Sequence, residues 1–138
     1  MSVQIEKFAI SSRGFDDLID ITSKVQGIVS SMNIKMGMIN LVVDSPCTSL
    51  TTLEIEKGLS SDLLNILESI VPLNKVYNYD EMWHEGNAHA HLKAAIIGNS
   101  ITLPIIDGLI QLAKYQKIIL IDFDNKTASK QITLSVLS

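Results

Sequence analysis

All three histidines of the chain fall within eight positions, in the run Trp83-His84-Glu85-Gly86-Asn87-Ala88-His89-Ala90-His91. Side chains two apart in an extended segment point to the same side. His89 and His91 therefore have the spacing to share one divalent ion, Zn or Mg, with a carboxylate or water completing the shell. In a helix the same pair would diverge by about 200° and could not share an ion. The metal reading thus requires a locally extended or turn conformation, which Gly86 and Asn87 favour. The plainer reading leaves His89 in water and His91 hydrogen-bonded to a backbone carbonyl. His84 reads first as a surface residue.

Other groups widen the choice. Glu54 and Glu56 flank Ile55 and would share one face of a strand, where paired carboxylates can hold a hard cation. For Glu56 a solvated strand edge is the simpler reading. Lys93, two residues past His91, would face a bound anion from the same side of an extended segment, or else lie in solvent. A cysteine nucleophile needs a neighbouring base, and without one in view Cys47 reads as a small packed residue. Ser45, Thr48 and Ser49 read first as turn formers. The chain has no glycine-rich phosphate loop of Walker or Rossmann type and no CxxC pair.

The scaffold that must position these groups has 138 residues, which suits a single domain able to bury its own core. Apolar residues make up 46% and aromatics only 5%, so the core is aliphatic. No stretch reaches the ~20 apolar residues of a membrane helix, and MSVQIEKFAI lacks the basic-then-apolar pattern of a signal peptide. A lone cysteine suits a reducing compartment, so the expected location is cytoplasmic. The net charge is −4, and the 11 basic residues, Arg13 the only arginine among them, are scattered. Nucleic-acid binding needs clustered cations, so neither nucleic acid nor membrane is an expected partner.

Hydropathy periodicity places the elements. Val3–Ile10, Met38–Val43, Leu50–Ile55, Ile101–Ile106, Lys117–Phe123 and Gln131–Leu137 read as strands, the last with Ile132, Leu134 and Val136 alternating against polar neighbours. Ile21, Val25, Ile28, Val29 and Met32 form the stripe of one helix, capped by Thr22 or Ser23. Leu63, Leu67, Ile70 and Val71 form that of a second, capped by Ser60 or Ser61 and stopped by Pro72. Asp107-Gly108 reads as a hairpin turn. Pro104 marks an edge strand or a bulge, and an aliphatic edge invites pairing with another subunit. The expected architecture is one α+β domain over residues 1–138, an antiparallel sandwich-like core of seven to eight strands with two helices.

The run from Asn87 to Pro104, N-A-H-A-H-L-K-A-A-I-I-G-N-S-I-T-L-P, resembles the signature of the YjbQ-like family. Asp20-Ile21-Thr22, Leu50 to Glu54, Asp107-Gly108-Leu109, Tyr115 to Ile118 and Asp122-Phe123-Asp124 resemble its outer elements in the same order. The resemblance implies a small, usually trimeric α+β domain associated with secondary thiamine-phosphate synthase activity, which joins a pyrimidine pyrophosphate to a thiazole phosphate. Such chemistry needs positive charge at the leaving group. Carried over by position, the polar site is His89, His91 and Glu54, with Asn87, Glu85 and Lys93 as neighbours. Ser45 and Tyr79 stand where the family has histidines, Leu53 where it has asparagine, and Tyr115 where it has tryptophan; His84 is the one imidazole near enough in sequence to substitute. Two functions follow as expectations: a metal-dependent homotrimeric enzyme acting on a small phosphorylated metabolite, or a non-catalytic trimeric binding module with a degenerate site.

Overall fold

The alternating segments form two antiparallel sheets, and the most apolar run becomes a strand buried on both faces. The computed structural model describes residues 1–138. In chain order its elements are β1 (Val3–Ser12), β2 (Asp17–Asp20), α1 (Thr22–Ser31), β3 (Met36–Val43), β4 (Thr48–Glu54), α2 (Lys57–Ile70), α3 (Asn78–Trp83), α4 (Ala88–Ile97), β5 (Ser100–Ile106), β6 (Leu109–Ile110), β7 (Gln116–Asp122) and β8 (Ala128–Leu137). One sheet has the order β1-β8-β3-β5-β6, the other β2-β7-β4.

The sheets pack face to face. Ile39, Leu41, Ile132 and Leu134 of the larger sheet meet Leu50, Ile118 and Leu120 of the smaller, and Val25 and Val29 of α1 join them. On the other side of β7, Ile119 and Ile121 pack with Leu67 of α2 and Ala90 and Ala94 of α4. The result is three layers: large sheet, small sheet, helices. A strand covered on both faces needs no polar alternation, which explains the unbroken run Ile118 to Ile121. At about 1.5–3 kcal/mol for each large aliphatic side chain buried, β7 is the chief anchor of both cores.

The expected α+β sandwich is present, with four helices rather than two. The caps also differ from expectation. Thr22 does not cap α1; its hydroxyl accepts the Ile118 amide at 2.8 Å. The second helix starts earlier than Ser60, and Glu56 caps it, accepting from the Leu59 amide at 2.8 Å. Glu56 is therefore neither a strand-edge residue nor a partner of Glu54. Hydrogen bonds from the Gly58 and Leu59 amides hold its carboxyl below the usual value. Leu67 and Val71 of the expected stripe are buried, but Ile70 is exposed. Asp107 and Gly108 both take positive φ (53° and 78°) at the β5–β6 hairpin, the geometry a two-residue turn requires. β6 pairs only with Ile105 and Ile106, so Pro104 lies at an open edge, where its missing donor costs little.

Candidate functional site

The conformation of residues 88–97 decides how the histidines stand. Asn87 is followed by a helix, α4, whose first amide, that of Ala88, donates to the Asp80 carboxylate at 3.1 Å. The non-helical segment required for two converging imidazoles is thus overturned. Its sequence, Ala-His-Ala-His-Leu-Lys-Ala-Ala, is rich in strong helix formers, and only a helix buries Ala90 and Ala94 together against β7. At 100° per residue His91 falls about 200° round the axis from His89. Lys93 shares a face with His89, four residues earlier, not with His91. Nowhere do three or more His, Cys, Asp or Glu side chains gather as a metal-ligand set. The Zn or Mg centre expected from His89 and His91 does not fit the residues of one chain.

One face of α4 carries His91. Its ring lies 4.8 Å from that of Tyr79, tilted by 48°, and the Tyr79 hydroxyl donates to the Glu85 carboxylate at 3.1 Å. Desolvation and that carboxylate hold the phenol above its ordinary pKa. Asn87 is buried beside them: its amide donates to Asp124 at 3.3 Å and approaches the Cys47 sulfur at 3.7 Å, while its Oδ1 has no partner. Below Asn87 lies a buried charge cluster. Lys130 Nζ stands 3.3 Å from Asp124 and 3.8 Å from Asp122, and the Thr48 hydroxyl bridges Asp122 and Ser45 at 3.2 and 2.9 Å. Burial opposes ionisation of Asp124, but hydrogen bonds from Asn125, Asn87 and Lys130 outweigh it and its carboxyl sits below the ordinary value. Burial, reinforced by Asp124, pushes the Cys47 thiol up to about 11. Cys47 is a packed thiol, not a nucleophile.

Ser45 also borders a cleft of about 220 Å³ with Ala94 and Ala95, so Ser45, Tyr79, Asn87 and His91 flank the same helix. Glu54 does not join them. It is exposed at the far end of β4, in register with Gln116, roughly 20 Å along the strand from Thr48 at ~3.3 Å per residue. His84 is also apart, exposed in a left-handed conformation (φ 57°) at the end of α3.

The opposite face of α4 carries His89 and Lys93, both buried. Lys93 Nζ meets the Glu68 carboxylate at 3.0 Å, and the other oxygen of Glu68 accepts the Leu73 amide at 2.7 Å. Burial, then the neighbouring ammonium of Lys93, lowers the pKa of His89; its Nδ1 has no partner. These groups line a cavity of about 180 Å³ with Phe15, Asp16, Leu73, Gly86 and Asn125. The largest groove, about 570 Å³, lies elsewhere, between Lys7, Asp44 and Gln131, and holds no histidine. Asp16, Glu68, Asp80 and Lys130 escape the sequence reading because each reaches the site from a different element. Asp122 and Asp124 carried a readable signal: two apart, they can share a side.

An antiparallel sandwich of five and three strands, backed by helices that present histidine on two faces of one of them, defines a small α+β domain of YjbQ-like architecture. The chain belongs to the YjbQ family: the model described as UPF0047 protein YjbQ-like matches residues 6–138. A UPF0047 protein of Archaeoglobus fulgidus is 34% identical over 116 residues, covering 84% of this chain and 88% of its own. One of Methanothermobacter thermautotrophicus is 31% identical over 99% of this chain and 93% of its own. Among solved structures, a YbjQ-like protein of unknown function from Sulfolobus solfataricus superposes with a TM-score of 0.92 at 26% identity, over 99% of this chain and 98% of that one. No helix is long and apolar enough to cross a membrane.

Proposed function

We propose that this chain is a small-molecule-binding module of the YjbQ-like family whose site is degenerate, assembled as a homotrimer in the cytoplasm. The observation that carries the reading is the placement of His89 and His91 on opposite faces of α4. It is reinforced by a phenol, Tyr79, against His91 where the family resemblance calls for imidazole. Trimer formation draws support from the outer face of the larger sheet. Val3, Leu137 and Met38 lie in one register row across β1, β8 and β3, with Met36, Ile106 and Leu109 beside them. All six are exposed, an apolar patch of the kind that marks subunit contacts. The lone, buried Cys47 suits a reducing compartment.

The test is synthesis of thiamine phosphate from the two purified substrates, run beside metal analysis of protein purified without a chelator or affinity-tag metal. Turnover no higher than a heat-killed control, with substoichiometric divalent metal, is the expected result. Turnover that disappears in His91→Ala would refute the reading. A second reading, a metal-dependent enzyme acting on a small phosphorylated metabolite, is favoured by the gathering of Ser45, Tyr79, Asn87 and His91 about one helix. It requires Glu54 and the missing ligands to come from a neighbouring subunit.

A further inference from the structure

The cavity on the His89 face of α4 is bordered by a left-handed turn, pinned where the Phe15 amide donates to the Asp124 carbonyl at 2.7 Å. The turn leading into β2 holds three consecutive residues at positive φ: Gly14 at 74°, Phe15 at 55° and Asp16 at 64°. A Cβ at Gly14 would come within 2.5 Å of the Lys126 carbonyl, so only glycine fits there. Phe15 has no such freedom, and the left-handed conformation is strained for its bulky side chain, whereas aspartate is one of the few residues that adopt it. Strain of this kind concentrates at ligand sites. The turn sets Asp16 at the cavity and leaves the Phe15 ring 71% exposed beside it. Asp16 makes no hydrogen bond or ion pair within the chain, whereas its neighbour Asp17 is held by Arg13.

The lining also defines the charge an occupant must carry. Two carboxylates, Asp16 and Glu68, face one ammonium, Lys93. An ammonium has three donors, and Lys93 spends one on Glu68. His89 is more than nine-tenths buried against the cavity with Nδ1 unpartnered. A phosphate dianion would meet a lining that is already net negative, which disfavours it. The volume of about 180 Å³ equals that of about six waters, room for a molecule of similar atom count.

We propose that this cavity binds a small zwitterion, its ammonium on the Asp16 carboxylate against the Phe15 ring and its carboxylate on the free donors of Lys93. The ring face attracts the cation, and a carboxylate accepts more strongly from an ammonium than a neutral oxygen does. This rests on the reading of the domain as a small-molecule-binding module and names the class of molecule.

The experiment is protein-observed NMR of the full chain titrated with glycine, β-alanine and 4-aminobutyrate, which lengthen the charge separation stepwise, with inorganic phosphate and glycerol phosphate as the anionic arm. Expected is a saturable shift of the His89 ring resonances with at least one amino acid. Affinity should fall about tenfold or more in Asp16→Asn, whose fold is checked by circular dichroism. Shifts of the same resonances by phosphate as strong as those by every amino acid would overturn the proposal, and so would silence towards all three amino acids. Neither outcome depends on thiamine phosphate turnover, so failure here and failure of the binding-module reading are separable.

Discussion

Lys130→Met gives the sharpest test of how the α4 corner is held. Lys130 is the only cation paired with either Asp122 or Asp124, and all three side chains are at least nine-tenths buried. Methionine keeps most of the volume and removes the charge, leaving two buried carboxylates facing one another. Breaking a buried pair by deleting one partner costs about 3–5 kcal/mol. With a urea slope of about 1–3 kcal/mol/M, the midpoint should fall by roughly 2 M. The pH dependence should also change sign. In the native protein the Asp124 carboxyl sits below its ordinary value of 3.8, so the unfolded chain binds more protons there. That stability is present above the ordinary value and is lost as pH falls through the folded one. In the variant, burial is no longer outweighed at Asp124 and its carboxyl rises; the folded state then binds more protons there, and this contribution to stability should fall as pH rises from about 4 to 7. Urea titrations of both proteins across this range provide the assay. A variant with a native midpoint, or with the native sign of pH slope, would show that the cluster is not a buried ion pair. Because Asp124 holds Asn87 at the start of α4, the His91 and Tyr79 resonances should shift as well.

Two further outcomes follow from burial. Cys47, with its thiol near 11 against an ordinary 9.0, should react with a disulfide reagent at pH 8 about a hundredfold more slowly in native protein than in urea; equal rates would place it at the surface. Glu68→Gln should destabilise by about 1–3 kcal/mol, because the buried Lys93 loses its counter-charge. Lys93→Met should stay within about 1 kcal/mol of wild type, since half-exposed Glu68 is simply resolvated. Equal losses in thermal or urea unfolding would contradict that asymmetry.

Much of this molecule is written in short-range pattern. The alternation of Ile132, Leu134 and Val136, the unbroken Ile118–Ile121 run, the stripe of α1 and the Asp107-Gly108 turn each follow from side-chain periodicity or backbone sterics, and each reappears in the structure. The signature from Asn87 to Pro104 carries the family in the same way. The conformation of that signature was not legible at His89 and His91. Their spacing suits a strand and their alanine neighbours suit a helix, and the small residues leave no apolar stripe to arbitrate. Packing arbitrates: Ala90 and Ala94 fit against β7 only when they lie one helical turn apart. That long-range contact sends His91 toward Tyr79 and His89 toward Lys93. It also joins Asp16, Glu68 and His89, which lie 52 and 21 residues apart in sequence. Local periodicity cannot encode such a meeting, because it arises only when separate elements are stacked into layers.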